Sequence, residues 1–249
     1  MNTLSERLKI IADNIEKGEA MADIGTDHGF LPLFLICEKI CPKVIMADVS
    51  RGSLDKAREN FVMAGFSEEA GDFRLGSGLR VLEKGEVDTV VMAGMGGRLM
   101  IELLQEDFEK TCSFRKFILQ PRNGQGDLRH FLTKRGFTIQ RELLTDEEGR
   151  LCNIIVALPP KTAGEDPFGG KALWFKRYEP EPEEEYPLAL LRENPELGRR
   201  LFEMRIAHYE NILTGIKIHG DSKSKARMPV IQKKIRHLKE GLKNNGMQD

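Results

Sequence analysis

Short apolar runs alternate with longer amphipathic ones along the first two thirds of the chain. Runs at 20–24, 44–47, 72–75, 87–93 and 117–120 predict five strands, and each is followed by turn formers or a carboxylate. Between them, 31–40, 52–64, 97–105 and 127–135 predict helices. Ser50 can cap the second of these, and Gly65 and Gly136 stop the second and the last. A helix before the first strand is predicted by the spacing Thr3-Leu4-Ser5-Glu6, a capping box, and runs to about residue 15. Strands alternating with helices predict a parallel sheet covered on both faces, which also explains why the strands are apolar on both sides.

The alternation stops near residue 137. Runs at 137–144 and 151–158 are joined only by residues 145–150. So short a link cannot carry a parallel crossover, so these two strands are expected to be antiparallel. Pro159-Pro160 through Gly169-Gly170 reads as a turn-rich linker, followed by an acidic, proline-rich stretch at 179–187. Asn194-Pro195 predicts a helix cap with proline at the first helical position. Leu197, Leu201, Met204, Ile212 and Ile216 form one stripe, with His208 in its gap. After a polar break at 221–229, Ile231, Ile235, Leu238 and Leu242 form a second stripe. Two such helices pair as an antiparallel hairpin. The expected organisation is an α/β domain over 1–160, a linker region over 161–190 and a helical coiled-coil domain over 191–249. The catalytic part shows no internal repeat.

Charge changes this picture in one place. The 249 residues carry 38 basic and 39 acidic side chains. Residues 192–249 hold 13 Lys/Arg against 7 Asp/Glu, a net of +6, which leaves −7 for the remainder. That asymmetry points to a polyanionic partner for the C-terminal piece, a solvated helical face being the competing explanation. The N-terminus is too polar for a signal peptide, and no apolar run approaches the roughly 18 residues of a membrane span. Four cysteines without a Cys-x-x-Cys pair argue against a zinc site and for reduced thiols in the cytoplasm.

The candidate chemistry lies where the predicted strands run out. Asp23-Ile-Gly25-Thr-Asp27-His28-Gly29 fills the first strand-to-helix turn. Ligands of open α/β sheets sit just beyond such strand ends. A dinucleotide would place its pyrophosphate here, and Asp27 would repel it. S-adenosyl-L-methionine carries no phosphate, and its sulfonium and ammonium suit Asp23 or Asp27. A helix cap is the competing role for Asp27. Asp48, with Val49 after it, ends the second strand, 23 residues beyond Gly25, where a carboxylate accepts both ribose hydroxyls. Gly76-Ser77-Gly78 suits a loop pressed against adenine. Ala93-Gly94-Met95-Gly96-Gly97 leaves room for methyl donor and acceptor to meet. Gln120-Pro121-Arg122-Asn123 offers two amides and a cation at the crevice rim. A parallel sheet closed by one antiparallel hairpin is, by fold analogy, a methyltransferase arrangement rather than a dehydrogenase one.

On these residues the chain resembles the bacterial tRNA (adenine-22-N1)-methyltransferase family, the TrmK-like proteins. The resemblance runs from Leu4-Ser-Glu-Arg7-Leu through the terminal hairpin and, more loosely, into the C-terminal helices. Met21-Ala-Asp-Ile-Gly-Thr-Asp-His-Gly-Phe-Leu-Pro32 resembles the family's first motif, and Ala93–Gly97 and Leu119-Gln-Pro121 resemble two others. It implies a class I Rossmann-like methyltransferase sheet with a small helical coiled-coil domain, S-adenosyl-L-methionine as cofactor and tRNA as partner. Two positions depart from the pattern. Ser77 stands where the family commonly has Asp, and Arg122 intervenes before Asn123. Adenine N1 keeps a free lone pair, so transfer needs positioning rather than a general base. His28 or Phe30 could stack on the base, and Asp27, Gln120 or Asn123 could accept from its amine. The alternatives are a methyltransferase acting on a protein or small metabolite, and an inactive cofactor-binding module. Lys233, Lys234 and Arg236, with Arg7 and Arg122 nearer the pocket, are the candidate contacts to the tRNA backbone. The protein is expected to be monomeric and metal-free.

Overall fold

The computed structural model of the chain describes residues 4–165, 167 and 179–247. Helix α1 (Glu6–Ala12) precedes strand β1 (Met21–Ile24). Then follow α2 (Phe30–Cys37), β2 (Val44–Asp48), α3 (Arg51–Met63), β3 (Asp72–Leu75), β4 (Thr89–Met95), α4 (Gly97–Glu106) and α5 (Phe108–Ser113). β5 (Lys116–Pro121), α6 (Gln125–Lys134), β6 (Thr138–Glu147) and β7 (Arg150–Leu158) complete the sheet. Its order is β3-β2-β1-β4-β5-β7-β6. The first five strands pair in parallel, and β7 is antiparallel to both β5 and β6. This is the expected Rossmann-like sheet, mostly parallel, with its antiparallel terminal hairpin.

The apolar strands divide their side chains between two cores. Ala22, Ile45, Val90, Phe117 and Ile155 point to one face, where Met100, Leu104, Leu128 and Phe131 of α4 and α6 cover them. Met21, Met46, Val91, Ile118 and Ile154 point to the other, under Ile11, Leu35, Ala57 and Phe61 of α1, α2 and α3. Successive residues of a strand face opposite ways, so a strand covered on both sides must be apolar throughout.

Several local expectations shift. The cap of α1 is Ser5, whose hydroxyl accepts from Leu8 N, and the helix ends at Ala12; Thr3 lies outside the described residues. α5 was not foreseen; Asp107 starts it by accepting from Lys110 N. The six-residue link at 145–150 is mostly strand. Only Glu148 and Gly149 turn, both with positive φ (52° and 83°), which is the two-residue type I′ geometry that fits strand twist.

The C-terminal part is docked on this sheet. Part of the expected linker, 166 and 168–178 with Gly169 and Gly170, lies outside the described residues. Residues 179–190 carry α7 (Pro182–Glu185) and lead into α8 (Ala189–Glu193). α9 (Pro195–His219) and α11 (Met228–Asn244) are joined through the short α10 (Ser222–Lys225). Lys239 of α11 reaches Glu210 of α9, and Gly241 lies on Phe202, so the two long helices run antiparallel as expected. The fully buried positions of α9 are Gly198, Phe202 and Leu213; of the predicted stripe, Leu197 and Leu201 pack half-buried on the same core, whereas Met204 is half exposed and His208 lies in solvent. The actual partners are Leu238 and Leu242 of α11, Leu190 and Leu191 of α8, Tyr186, and Leu144 of β6.

Two polar devices fasten this helical layer. Asn194 holds the position before Pro195 but makes no cap bond. Its carboxamide instead accepts from Leu144 N (2.9 Å) and donates to Glu142 O (3.0 Å), while Glu193 accepts from Glu142 N (3.1 Å). The outer edge of β6 is thereby closed. Beneath it, Arg129 of α6 is buried with Glu142. Its Nε donates to both Glu142 oxygens at 2.9 and 3.0 Å, Nη1 to the carbonyls of Glu184 and Glu185, and Nη2 to Asn153 Oδ1. Arg129→Met leaves a buried carboxylate alone, and breaking such a pair costs about 3–5 kcal/mol. Urea unfolding at neutral pH should show a loss of that size. Adding Glu142→Leu should recover part of it, and a single-mutant loss under ~1 kcal/mol would show the clamp to be dispensable.

Candidate functional site

The C-terminal ends of β1 to β5 share one edge, because Ile24 pairs with both Ala47 and Met92, Asp48 with Leu75 and Met95 with Pro121. All five sequence motifs therefore meet along this edge. The loop after β1 is the most constrained. Gly25 (φ 79°), Asp27 (φ 49°) and Gly29 (φ 67°) are all left-handed. Gly29 also has no room for a side chain, since a Cβ there would lie 2.9 Å from the Cβ of Ala57 on α3. Aspartate tolerates the left-handed region better than most residues, yet such a residue at a ligand edge stores strain.

Asp48 fixes this loop. Its Oδ2 accepts from Asp27 N (3.2 Å) and its Oδ1 from Ser50 N (2.8 Å), and Ala47 O accepts from Gly25 N and Thr26 N. Each Asp48 oxygen keeps lone-pair capacity for a further donor. The Asp27 carboxylate does not cap α2; Gly29 holds the cap position without a side-chain bond. Asp27 is exposed, with His28 Nε2 3.8 Å from its Oδ2. The His28 ring lies parallel to Phe30, centroids 5.3 Å apart, and Phe30 is 38% exposed. The pair is an aromatic shelf beside a carboxylate. Val49 is exposed just past Asp48.

The remaining loops divide into presented and structural residues. Ser77 is exposed after β3. Its flanking glycines answer to the protein itself: a Cβ on Gly76 would meet Val81 at 2.5 Å, and one on Gly78 would meet Leu103 at 2.4 Å. At the end of β4, the pairing with β5 slips between Ala93 and Met95, and Gly94 (φ 77°) forms the bulge. Gly96 sits beside Asn123, whose Oδ1 would be 3.2 Å from a Cβ there. Asn123 and Arg122 are both exposed at the rim.

Gln120 is not at the rim. It is 3% exposed, and its Oε1 accepts from Gly94 N (3.0 Å) and from Arg7 Nη1 (3.3 Å). The expectation that it accepts from a substrate amine is corrected: its carbonyl is occupied in holding the β4 bulge. Arg7 also donates through Nε to Glu147 Oε2 at 3.0 Å. It is a bracket between α1, β5 and the hairpin rather than a free cation. Glu147, 140 residues from Arg7, gave no sequence signal, because nothing local foretells that contact.

Asp23 is the buried acid of the site. Its carboxylate accepts from the Thr26 hydroxyl at 2.9 Å. Burial pushes its pKa up to about 6, against the Thr26 hydrogen bond and the Arg7 charge, with Asp48 adding repulsion. Among the described residues no cluster of His, Cys, Asp and Glu could hold a metal ion, and no helix is long and apolar enough to cross a membrane.

The predicted basic grip on α11 is altered by its neighbours. Lys234 is 9% exposed, 2.6 Å from Glu185 and 3.8 Å from Glu179. Lys233 pairs with Glu181, and His237 faces Glu183 at 3.7 Å. The acidic stretch thus lies on this side of the basic helix, and Lys234 is a structural ion rather than an outward cation. Arg236 stays exposed and lines a groove between α9 and α11 with Lys217 and Lys239. Lys223, Lys225 and Arg227, at the far tip of the helical hairpin, are exposed, and no ion pair to them is seen among the described residues.

Residues 4–155 match a family model described as a methyltransferase domain. The tRNA (adenine(22)-N(1))-methyltransferase of Bacillus subtilis strain 168 is 32% identical over 154 residues, which is 62% of this chain and 64% of that protein. The sequence match thus spans slightly less than two thirds of that relative. The crystal structure of the B. subtilis M1A22 tRNA methyltransferase TrmK has a TM-score of 0.81 at 25% identity, covering 97% of this chain and 100% of that one. A Streptococcus pneumoniae protein, described as a putative tRNA (m1A22) methyltransferase in complex with S-adenosyl-L-methionine, has a TM-score of 0.77 at 25% identity, covering 96% and 100%.

Asp23 sets a pH signature. With its folded pKa near 6 and an ordinary value of 3.8, the folded state holds the proton better than the unfolded one. Below pH 4 the group has no effect; above pH 6 the folded state bears the full cost of a buried charge, on the order of 3 kcal/mol. Asp23→Asn should therefore be more stable than wild type at pH 8, and equal to it near pH 4. A stability difference that does not change with pH in urea unfolding would refute this.

Proposed function

The chain belongs to the methyltransferase domain family, and we propose that it uses S-adenosyl-L-methionine to methylate N1 of an adenine in tRNA, at position 22. The observation that carries this reading is the loop after β1. It gathers Asp23, Asp27 and Asp48 at the strand ends, next to an exposed aromatic shelf. That set of carboxylate acceptors suits a cofactor bearing two cationic groups and a ribose, and disfavours one bearing a pyrophosphate. The full-length likeness to the B. subtilis structure supports the same substrate class.

S-adenosyl-L-methionine supplies an electrophilic methyl group on a sulfonium. Asp48 would take the ribose hydroxyls on its free lone pairs, and Asp23 would favour the ammonium. Val49 and Ser77 would border the adenine, in the loops that Gly76 and Gly78 shape by packing. Gly25, Gly94 and Gly96 would keep side chains out of the space where donor and acceptor meet, Ala93 adds only a methyl, and Met95 lays its side chain against Gly25. On the acceptor side, His28 and Phe30 offer the stacking face, and a base buried in the tRNA fold must be turned out to reach it. Adenine N1 attacks with its own lone pair, so no residue need remove a proton. As the bond forms the base becomes cationic. Asp27, exposed and held by Asp48 through its backbone, would stabilise that charge, and Asn123 would accept from the exocyclic amine. Gln120 acts from beneath, by holding Gly94.

Incubation with labelled donor and bulk tRNA tests the reading. The expected outcome is label in tRNA, recovered as 1-methyladenosine on nucleoside mass analysis, and its sharp reduction in Asp27→Asn. Label in protein or metabolite extracts instead would favour the other substrate classes, and donor binding without any transfer would favour an inactive module.

The cations that meet tRNA phosphates would be those left without acidic partners: Arg122 at the rim, Arg236 in the groove and Lys223, Lys225 and Arg227 at the hairpin tip. Replacing these last three with Gln should weaken tRNA binding and lower its log–log salt slope by roughly 2–3, with cofactor affinity unchanged. Lys234→Gln should instead lower the melting temperature. If the tip variant keeps the wild-type salt slope, the tip is a solvated surface.

A further inference from the structure

Helix α1 reaches the strand-end loops through one side chain. The Arg7 guanidinium is 22% exposed and forks between Glu147 Oε2 (3.0 Å) and Gln120 Oε1 (3.3 Å). Gln120 Oε1 also accepts from Gly94 N (3.0 Å), the bulged residue of β4. A continuous chain of bonds therefore runs from the tip of the β6–β7 hairpin, through α1, to the backbone where β4 leaves the sheet. Two donors on one carbonyl oxygen fix the carboxamide orientation, so the bulge cannot relax without disturbing Arg7. The same guanidinium is the cation whose charge opposes the burial of Asp23. The other groups acting on Asp23 are the Thr26 hydroxyl, which favours its charge, and Asp48, which disfavours it.

We propose that Arg7 is a positioning residue of the methyl-transfer site, holding the Gln120 carbonyl against Gly94 N while its positive charge acts on Asp23. This rests on the methyltransferase reading above. It assigns to Arg7 an internal role in place of a contact with tRNA phosphate. A single arginine thereby couples the shape of the β4 loop to the charge of the β1 acid.

The test uses full-length Arg7→Gln, Arg7→Lys and Glu147→Gln. Three quantities are read: the titration midpoint of Asp23 in the ligand-free protein by carbon-13 NMR, the single-turnover methylation rate at saturating S-adenosyl-L-methionine and tRNA, and the tRNA salt slope. Arg7→Gln should raise the Asp23 midpoint above its wild-type value and slow single turnover at least tenfold, with the salt slope unchanged. Arg7→Lys should restore the midpoint but not the rate, because one ammonium cannot fork to both Glu147 and Gln120. Glu147→Gln, which keeps the cation and loosens its anchor, should slow turnover while leaving the midpoint near wild type; it decides the matter if Arg7→Gln does not fold. Wild-type midpoint and rate in the folded variants would overturn the proposal, as would a reduced salt slope with unchanged turnover. A wild-type protein that transfers no methyl to tRNA would overturn the functional reading and this proposal together, whereas indifferent variants of an active enzyme would overturn this proposal alone.

Discussion

The buried pair of Arg129 and Glu142 is the interaction on which the assembly of the two layers depends. A guanidinium taken out of water needs its donors answered, and here each nitrogen of Arg129, on α6, finds a partner in one of three other elements: Glu142 of β6, Asn153 of β7 and the last carbonyls of α7. A lesser arrangement would be destabilising, since desolvation of each ion is large and only full coordination offsets it. The same requirement fixes where the C-terminal helices begin. α7 ends over Arg129, α8 follows along β6, and Glu193 and Asn194 close the edge that a terminal strand would otherwise leave open.

The edge formed by the C-terminal strand ends follows a different logic. Its loops are held by backbone and buried amide contacts so that a few side chains are left facing outward. Asp48 binds Asp27 N and thereby sets the left-handed turn that presents the Asp27 carboxylate. Gln120 binds Gly94 N and shapes the β4 bulge. Residues of similar chemistry thus split into those that build the loops and those left facing outward. Burial decides between them: Gln120 and Asp23 lie under the surface, Asp27, His28 and Asn123 at it.

Charge is segregated in a comparable way along the helical hairpin. The acidic stretch at 179–185 lies on the near part of α11 and meets Lys233, Lys234 and His237. The far tip keeps Lys223, Lys225 and Arg227 in solvent. Exposed pairs such as Lys233 with Glu181 contribute little, because water and salt screen them. Lys234 differs, because its ammonium is enclosed between Glu185 and the Tyr209 ring.

The order of apolar runs and turn residues was enough to place every strand of the sheet, its parallel part, the antiparallel hairpin and the pair of long C-terminal helices. These are set by local periodicity and by the lengths of connections, both of which are written along the chain. The same reasoning located the strand-end motifs, because a parallel sheet brings successive C-terminal strand ends to one edge. It did not determine which motif residues face a ligand. Gly76 and Gly78 prove to be packed on Val81 and Leu103, Gln120 is turned inward, Arg7 is drawn 140 residues along the chain to Glu147, and Asn194 gives its side chain to β6 instead of capping a helix. Nor did it determine the stripe of α9, where Phe202 rather than Met204 is buried, or the fate of Lys234. Each of these depends on a partner distant in sequence, and a hydrogen bond or ion pair between remote residues exists only once the fold has excluded water from between them.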